Sequence, residues 1–98
     1  MRIVVQEAPF DMGEEARNFA EGHTNMGAVV TFTGVVRNAE EAPLTAMEIE
    51  HYPGMTEKAL TDIVSQASSR WDLGDVLVIH RFGRLLPGEM IMMVATAA

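Results

Sequence analysis

The sequence predicts an α+β domain, with a mainly antiparallel sheet and two helices packed on it. Two observations lead there. Short runs rich in Val, Ile and Thr, bounded by Gly, Pro and Asp, recur along the chain as strands do. Two longer stretches carry their apolar residues at helical spacing instead. The order is β-α-β-β-α-β-β, and residues 1–98 make a single domain's worth of chain.

Arg2–Gln6 reads as the first strand, rich in Ile and Val. Asp11-Met12-Gly13-Glu14 has capping-box spacing and opens a helix to about Glu21, with Met12, Ala16, Phe19 and Ala20 inward and Gly22 at its end. Gly27–Val36 is the clearest strand, an apolar run expected to be buried, which ends on Arg37. Asn38–Pro43 is a polar, acidic loop. Leu44–His51 is a strand with Met47, Ile49 and His51 on one face and Glu48 and Glu50 on the other. Tyr52-Pro53-Gly54 turns the chain into a helix from Met55 to Trp71. Its stripe is Leu60, Ile63, Val64, Ala67 and Trp71. Asp72-Leu73-Gly74 ends it. Asp75–Phe82 is a strand with Val76, Val78 and His80 on one face and Leu77, Ile79 and Arg81 on the other. Leu86-Pro87-Gly88-Glu89 is a turn. Met90–Ala98 is a last strand, apolar on both faces, which needs cover on both.

Composition narrows the function. Fourteen acids face seven bases, so the net charge is −7, and no broad basic face exists for nucleic acid. Any anion must meet a local cluster of the six Arg or Lys58. Cysteine is absent, which excludes disulfides, thiolate metal sites and a cysteine nucleophile. No apolar run is long enough to span a membrane, and the N-terminus is too short and too soon polar for a signal peptide, so a cytoplasmic protein is the expectation. His23, His51 and His80 lack metal-ligand spacing, no phosphate-binding glycine loop is present, and neither a metal nor a cofactor is expected.

Arg37 stands at a strand-to-loop junction, where a guanidinium forks onto carboxylate or phosphate. The chain alone leaves a commoner arrangement open, a surface arginine paired with Glu40 or Glu41. His80-Arg81-Phe82-Gly83-Arg84 offers a second anion patch through Arg81 and Arg84, or a strand edge guarded by charge. The amides after His51-Tyr52-Pro53-Gly54 suit an anion, while His51 itself reads first as a core histidine.

Three segments together carry a resemblance: Gly27-Ala28-Val29-Val30-Thr31-Phe32-Thr33-Gly34-Val35-Val36-Arg37-Asn38, Glu50-His51-Tyr52-Pro53-Gly54-Met55-Thr56-Glu57-Lys58-Ala59-Leu60, and Val78-Ile79-His80-Arg81-Phe82-Gly83 with Pro87-Gly88-Glu89. Across essentially the whole chain the sequence resembles the large, catalytic subunit of molybdopterin synthase. The resemblance implies an α/β-hammerhead type of fold. It implies a pterin phosphate substrate, cyclic pyranopterin monophosphate, into which two sulfurs are inserted. The sulfur is expected on the C-terminal Gly-Gly of a small ubiquitin-like sulfur-carrier subunit, with the large subunit a homodimer carrying one small subunit at each end. Arg37 matches the family's strand-end arginine at the substrate pocket. Val35 and Val36 are implied to line that pocket, and Phe32 to sit against the partner's glycine tail. The family often has a basic residue where Val35 stands. It also has a His-Arg pair after the last strand and two lysines beyond it, and this sequence has neither. The chain is therefore expected to be incomplete at its C-terminus, without catalytic residues of its own and inactive alone. The competing readings are a ferredoxin-like regulatory or dimerisation module that binds a small anion, and a short paralogue that pairs with a full-length subunit.

Overall fold

The computed structural model describes residues 1–38 and 45–98. Its elements are β1 (Arg2–Gln6), α1 (Met12–Glu21), β2 (Val29–Val35), β3 (Met47–Ile49), α2 (Met55–Trp71), β4 (Asp75–Arg81), β5 (Gly83–Leu85) and β6 (Met90–Ala97). The element order is the expected one with a short extra strand, β5. Three residues between a glycine and a proline-bearing turn are too few to show a period. Most of the acidic loop expected at Asn38–Pro43, and the start of the strand expected at Leu44–His51, lie outside the described residues.

Both helices begin where their first amides find a carboxylate. Asp11 Oδ1 accepts the Glu14 N–H at 2.9 Å, and Glu57 Oε2 accepts the Gly54 N–H at 2.8 Å. Asp72, in the left-handed region at φ 51°, closes α2 and donates its N–H to Ser68 O.

Four strands form one sheet in the order β1-β4-β6-β2, while β3 and β5 pair separately. Only β1 and β4 are parallel; β4–β6, β6–β2 and β3–β5 are antiparallel. A ferredoxin-like sheet has its first strand inside and both helices on one face. Here β1 is an edge strand, and the helices lie on opposite faces. On one face Leu77, Ile79, Met93 and Ala95 form a core under Phe10, Ala16 and Phe19. On the other, Val76 and Val78 pack with Val64 of α2, joined by Ile3, Leu60, Leu73 and Val94. The alternation expected along β4 is therefore observed. β6 is apolar on both faces because it is an interior strand.

Burial departs from the sequence reading at three places. Met12 and Ala20 of α1 are exposed, because only Ala16 and Phe19 meet the sheet. Ile63 and Trp71 of α2 are exposed, since the helix packs over β1 and β4 and leaves its flank beyond them uncovered. The third departure is the largest. β2, expected to be buried, is an edge strand, with Val30 64% and Phe32 66% exposed. An open apolar groove of about 200 Å³ runs along α2, with Leu60, Ile63 and Ala67 on its helix side and Val94 and Met92 from the sheet.

Candidate functional site

Arg37 follows β2 at the end of the sheet where β1 and β4 also finish, since β2 runs antiparallel to β6 and β6 antiparallel to β4. The strand end is built in three steps. First, the β2–β6 register shifts between Gly34 and Val35: Gly34 faces Met92, yet Val35 faces Met90. Ile91 is the extra residue, and a bulge of this kind bends the ladder and re-aims the side chains beyond it. Second, the turn Leu86–Glu89 closes on itself through Glu89 N–H to Leu86 O at 3.0 Å. Gly88, at φ 91°, takes the left-handed position that such a Pro-Gly turn requires. Third, this turn grips Val36 from both sides. Val36 N–H donates to Glu89 O at 2.9 Å, and Gly88 N–H donates to Val36 O at 2.8 Å.

These contacts sort the expected site residues. Val35 and Arg37 are exposed, and Val36 between them is 1% exposed. Val36 is thus an anchor: its side chain is enclosed, and its main chain is held by the turn. Among the described residues Arg37 has no ion pair, and Glu40 and Glu41 lie outside them. Phe32 shares the sheet face of Val94, its register partner, which packs on the α2 side. Arg37 lies five residues further along, past the bulge and the strand end, at most roughly 16 Å away. Phe32 and Arg37 are thus separated along the strand by the bulge beside Gly34.

Arg81 and Arg84 do not assemble into an anion patch. Arg81 is 5% exposed. Its Nε and Nη2 both donate to Glu7 O, at 3.1 and 3.0 Å, and its Nη1 donates to Met90 O at 3.2 Å. Glu89 Oε1 stands 3.7 Å from Nη1. A guanidinium committed to main-chain carbonyls in this way is not available to an external anion. Arg84 is exposed on β5, opposite Glu48 in the β3–β5 register. The opening of α2 is likewise taken by a residue of the chain, since Glu57 already accepts from Gly54. His51 is a packed histidine, stacked on Phe82 with centroids 4.2 Å apart. Its Nδ1 is buried without a partner among the described residues, and its Nε2 is 3.8 Å from Glu57 Oε1. Next to it, the Tyr52 hydroxyl donates to the Glu50 carboxylate, which raises the phenol above its ordinary range, with a smaller contribution from desolvation.

The sequence reading missed the clamp made by Arg81, Glu89 and Val36. One signal was present: Arg81 shares the parity of Leu77 and Ile79, one of the two apolar faces of β4. At the other end of β4, Asp75 accepts from the Met1 ammonium at 2.8 Å and pairs with His23 at 2.8 Å. The ammonium hydrogen bond is the main reason its carboxyl sits below the usual range; partial burial opposes it, and the Val76 N–H and His23 add to it. Among the described residues no cluster of three or more His, Asp or Glu side chains is placed to hold a metal ion. Among the described residues no helix is long and apolar enough to cross a membrane.

A sheet covered by one helix on each face, with an exposed arginine after a clamped strand end, defines a class of small α+β proteins. Comparison makes the class specific: residues 5–98 match the MoaE protein family, and the chain belongs to that family. It is 61% identical over its full 98 residues to the molybdopterin synthase catalytic subunit of Cereibacter sphaeroides, and covers 66% of that protein. The Escherichia coli subunit of the same name is 52% identical, with 99% of this chain and 65% of that protein covered. Among solved structures, the molybdopterin biosynthesis MoaE protein of Burkholderia ambifaria superposes with a TM-score of 0.88 at 45% identity. The match covers 99% of this chain and 63% of that one. Molybdopterin synthase from Staphylococcus aureus gives 0.79 at 28% identity, covering 99% and 69%. The chain thus spans just under two thirds of the curated relatives named here.

Proposed function

We propose that this chain is the substrate-anchoring part of a molybdopterin synthase catalytic subunit. In this reading it helps convert cyclic pyranopterin monophosphate to molybdopterin, and a thiocarboxylated, Gly-Gly-tailed carrier supplies the sulfur. The observation that carries the reading is the family match over residues 5–98, with curated relatives of up to 61% identity bearing that name.

Arg37 is the anchor in this mechanism. Its guanidinium presents a fork of donors to an anion, either the substrate phosphate or the carrier's terminal carboxylate. An exposed group at a fixed strand end is placed to meet an incoming ligand. Val35 provides apolar surface beside it, and the Val36 backbone fixes its origin. Phe32, exposed on the edge strand before the bulge, suits the carrier's tail rather than the phosphate, because a glycine tail offers main chain and no side chain to pack. The acid, base or covalent lysine for sulfur transfer is not assigned to any residue of this chain, which is inactive alone in this reading. Homodimerisation and a carrier at each end belong to the same proposal.

The test is calorimetric titration of the 98-residue chain with cyclic pyranopterin monophosphate and, separately, with the carrier. Arg37→Ala should weaken phosphate-dependent binding by about tenfold or more, the scale of one charge-assisted contact. Phe32→Ala should weaken carrier binding and leave substrate binding as it was. Equal substrate affinity in wild type and Arg37→Ala would remove Arg37 from the site.

A further inference from the structure

We infer that Arg81, a buried arginine outside the ligand's reach, is the positioning residue that aims Arg37. The inference rests on the anchoring role proposed for Arg37 and concerns how that role is held in place. Its basis is where the backbone ladders stop. The β4–β6 pairing ends at His80 opposite Met92, and the β2–β6 pairing slips at the bulge beside Gly34. Past those points Met90 and the Leu86–Glu89 turn extend beyond the regular β4–β6 ladder.

The Arg81 side chain takes over where the β4–β6 ladder ends. Its fork holds Glu7 O with two donors and Met90 O with a third. It thereby ties the chain just past β1 to the first residue of β6. Glu89 adds a second tie. One carboxylate oxygen faces Arg81 Nη1 at 3.7 Å, and the other accepts the Leu86 N–H that begins the turn. The same turn holds the main chain of Val36 at both its N–H and its C=O. The route from Arg81 to Arg37 is therefore continuous: guanidinium, Met90 and Glu89, turn, Val36, Arg37. Each link is a hydrogen bond, an ion pair or a covalent neighbour.

Two features set this apart from an ordinary structural arginine. The planar fork satisfies carbonyls of two segments at once, which a lysine ammonium on a flexible stem does not reproduce. The last link before Arg37 is Val36, whose own side chain is enclosed, so a shift of the turn is passed to the backbone of Arg37 rather than absorbed by rotation. Positive charge near the site is the competing explanation for any effect of Arg81. Arg81→Lys separates the two, because it keeps the charge and loses the fork.

The experiment uses four forms of the 98-residue chain: wild type, Arg81→Lys, Arg37→Ala and the double variant. Amide hydrogen exchange is read at Val36, whose N–H bonds to Glu89, and at Leu77 and Met93 in the core. Affinity for cyclic pyranopterin monophosphate is read in parallel. Arg81→Lys should speed exchange at Val36 at least tenfold and leave Leu77 and Met93 unchanged. It should also weaken binding at least fivefold in the wild-type background, with no further loss in Arg37→Ala. Unchanged exchange at Val36, or an equal rise at all three amides, overturns the inference. So does an additive loss in the double variant. If Arg37→Ala binds as well as wild type, the anchoring role itself fails, and the exchange pattern alone then decides whether Arg81 positions this strand end. Should Arg81→Lys not fold, Glu89→Ala, which cuts the second tie and leaves the fork, should speed Val36 exchange by a smaller factor; no change there also overturns the inference.

Discussion

β4 and β2 are both seven-residue strands with apolar, partly β-branched centres, and each leads to an arginine at the same end of the sheet. Their fates are opposite. β4 lies inside the sheet with a helix over each face, and Val76 through Ile79 are all buried. β2 lies at the edge, and its residues Val29 through Phe32 are exposed. Arg81 is enclosed and tied to carbonyls, while Arg37 is free to meet solvent. The lesson is that residue type fixes the strand conformation, whereas the neighbours on either side fix what the strand is for.

The comparison is broken most severely in the interior. Ile79→Ala, at a site 1% exposed, should cost about 3–4 kcal/mol of unfolding free energy, and Phe32→Ala less than about 1 kcal/mol. Chemical denaturation of both variants checks this; equal losses would mean that β2 is covered in solution. The two arginines should differ next. Arg81→Ala removes three donors and leaves Glu7 O and Met90 O short of partners, a loss of about 2–3 kcal/mol. Arg37→Ala should change stability by less than about 0.5 kcal/mol. Thermal melts of both test whether one arginine is structural and the other functional.

The smallest effect concerns the start of β4. The folded-state pKa of Asp75 is lowered, so the carboxylate stabilises the fold above its unfolded value, and that contribution is lost as pH falls through the folded one. Asp75→Asn should therefore be less stable than wild type at pH 6, and the gap should close as pH drops below the ordinary carboxylate range. A gap that stays constant to pH 2 would show that the ionised carboxylate is not what stabilises this end of β4.

Much of the architecture was legible along the chain because it rests on local chemistry. Asp11 announced the start of α1, Asp72-Leu73-Gly74 the end of α2, and the alternation of Val76, Leu77, Val78 and Ile79 the two faces of β4. The site was legible in part. Arg37 stood out by its place after an apolar run. The pairing of Arg81 with Arg84 looked reasonable because the two are close in sequence, but Gly83, at φ 90°, turns the chain between them. One then falls inside the sheet's end, and the other on a separate two-stranded ribbon.

What the sequence determined by itself was the elements other than β5, the start of α1 and the end of α2, and the family to which they belong, since these depend on residues near one another in the chain. Only the tertiary structure decided which apolar strand is interior and which is edge. It also decided which arginine is enclosed. Both depend on contacts between segments such as Glu7, Arg81, Met90 and Val36, which no local pattern brings together.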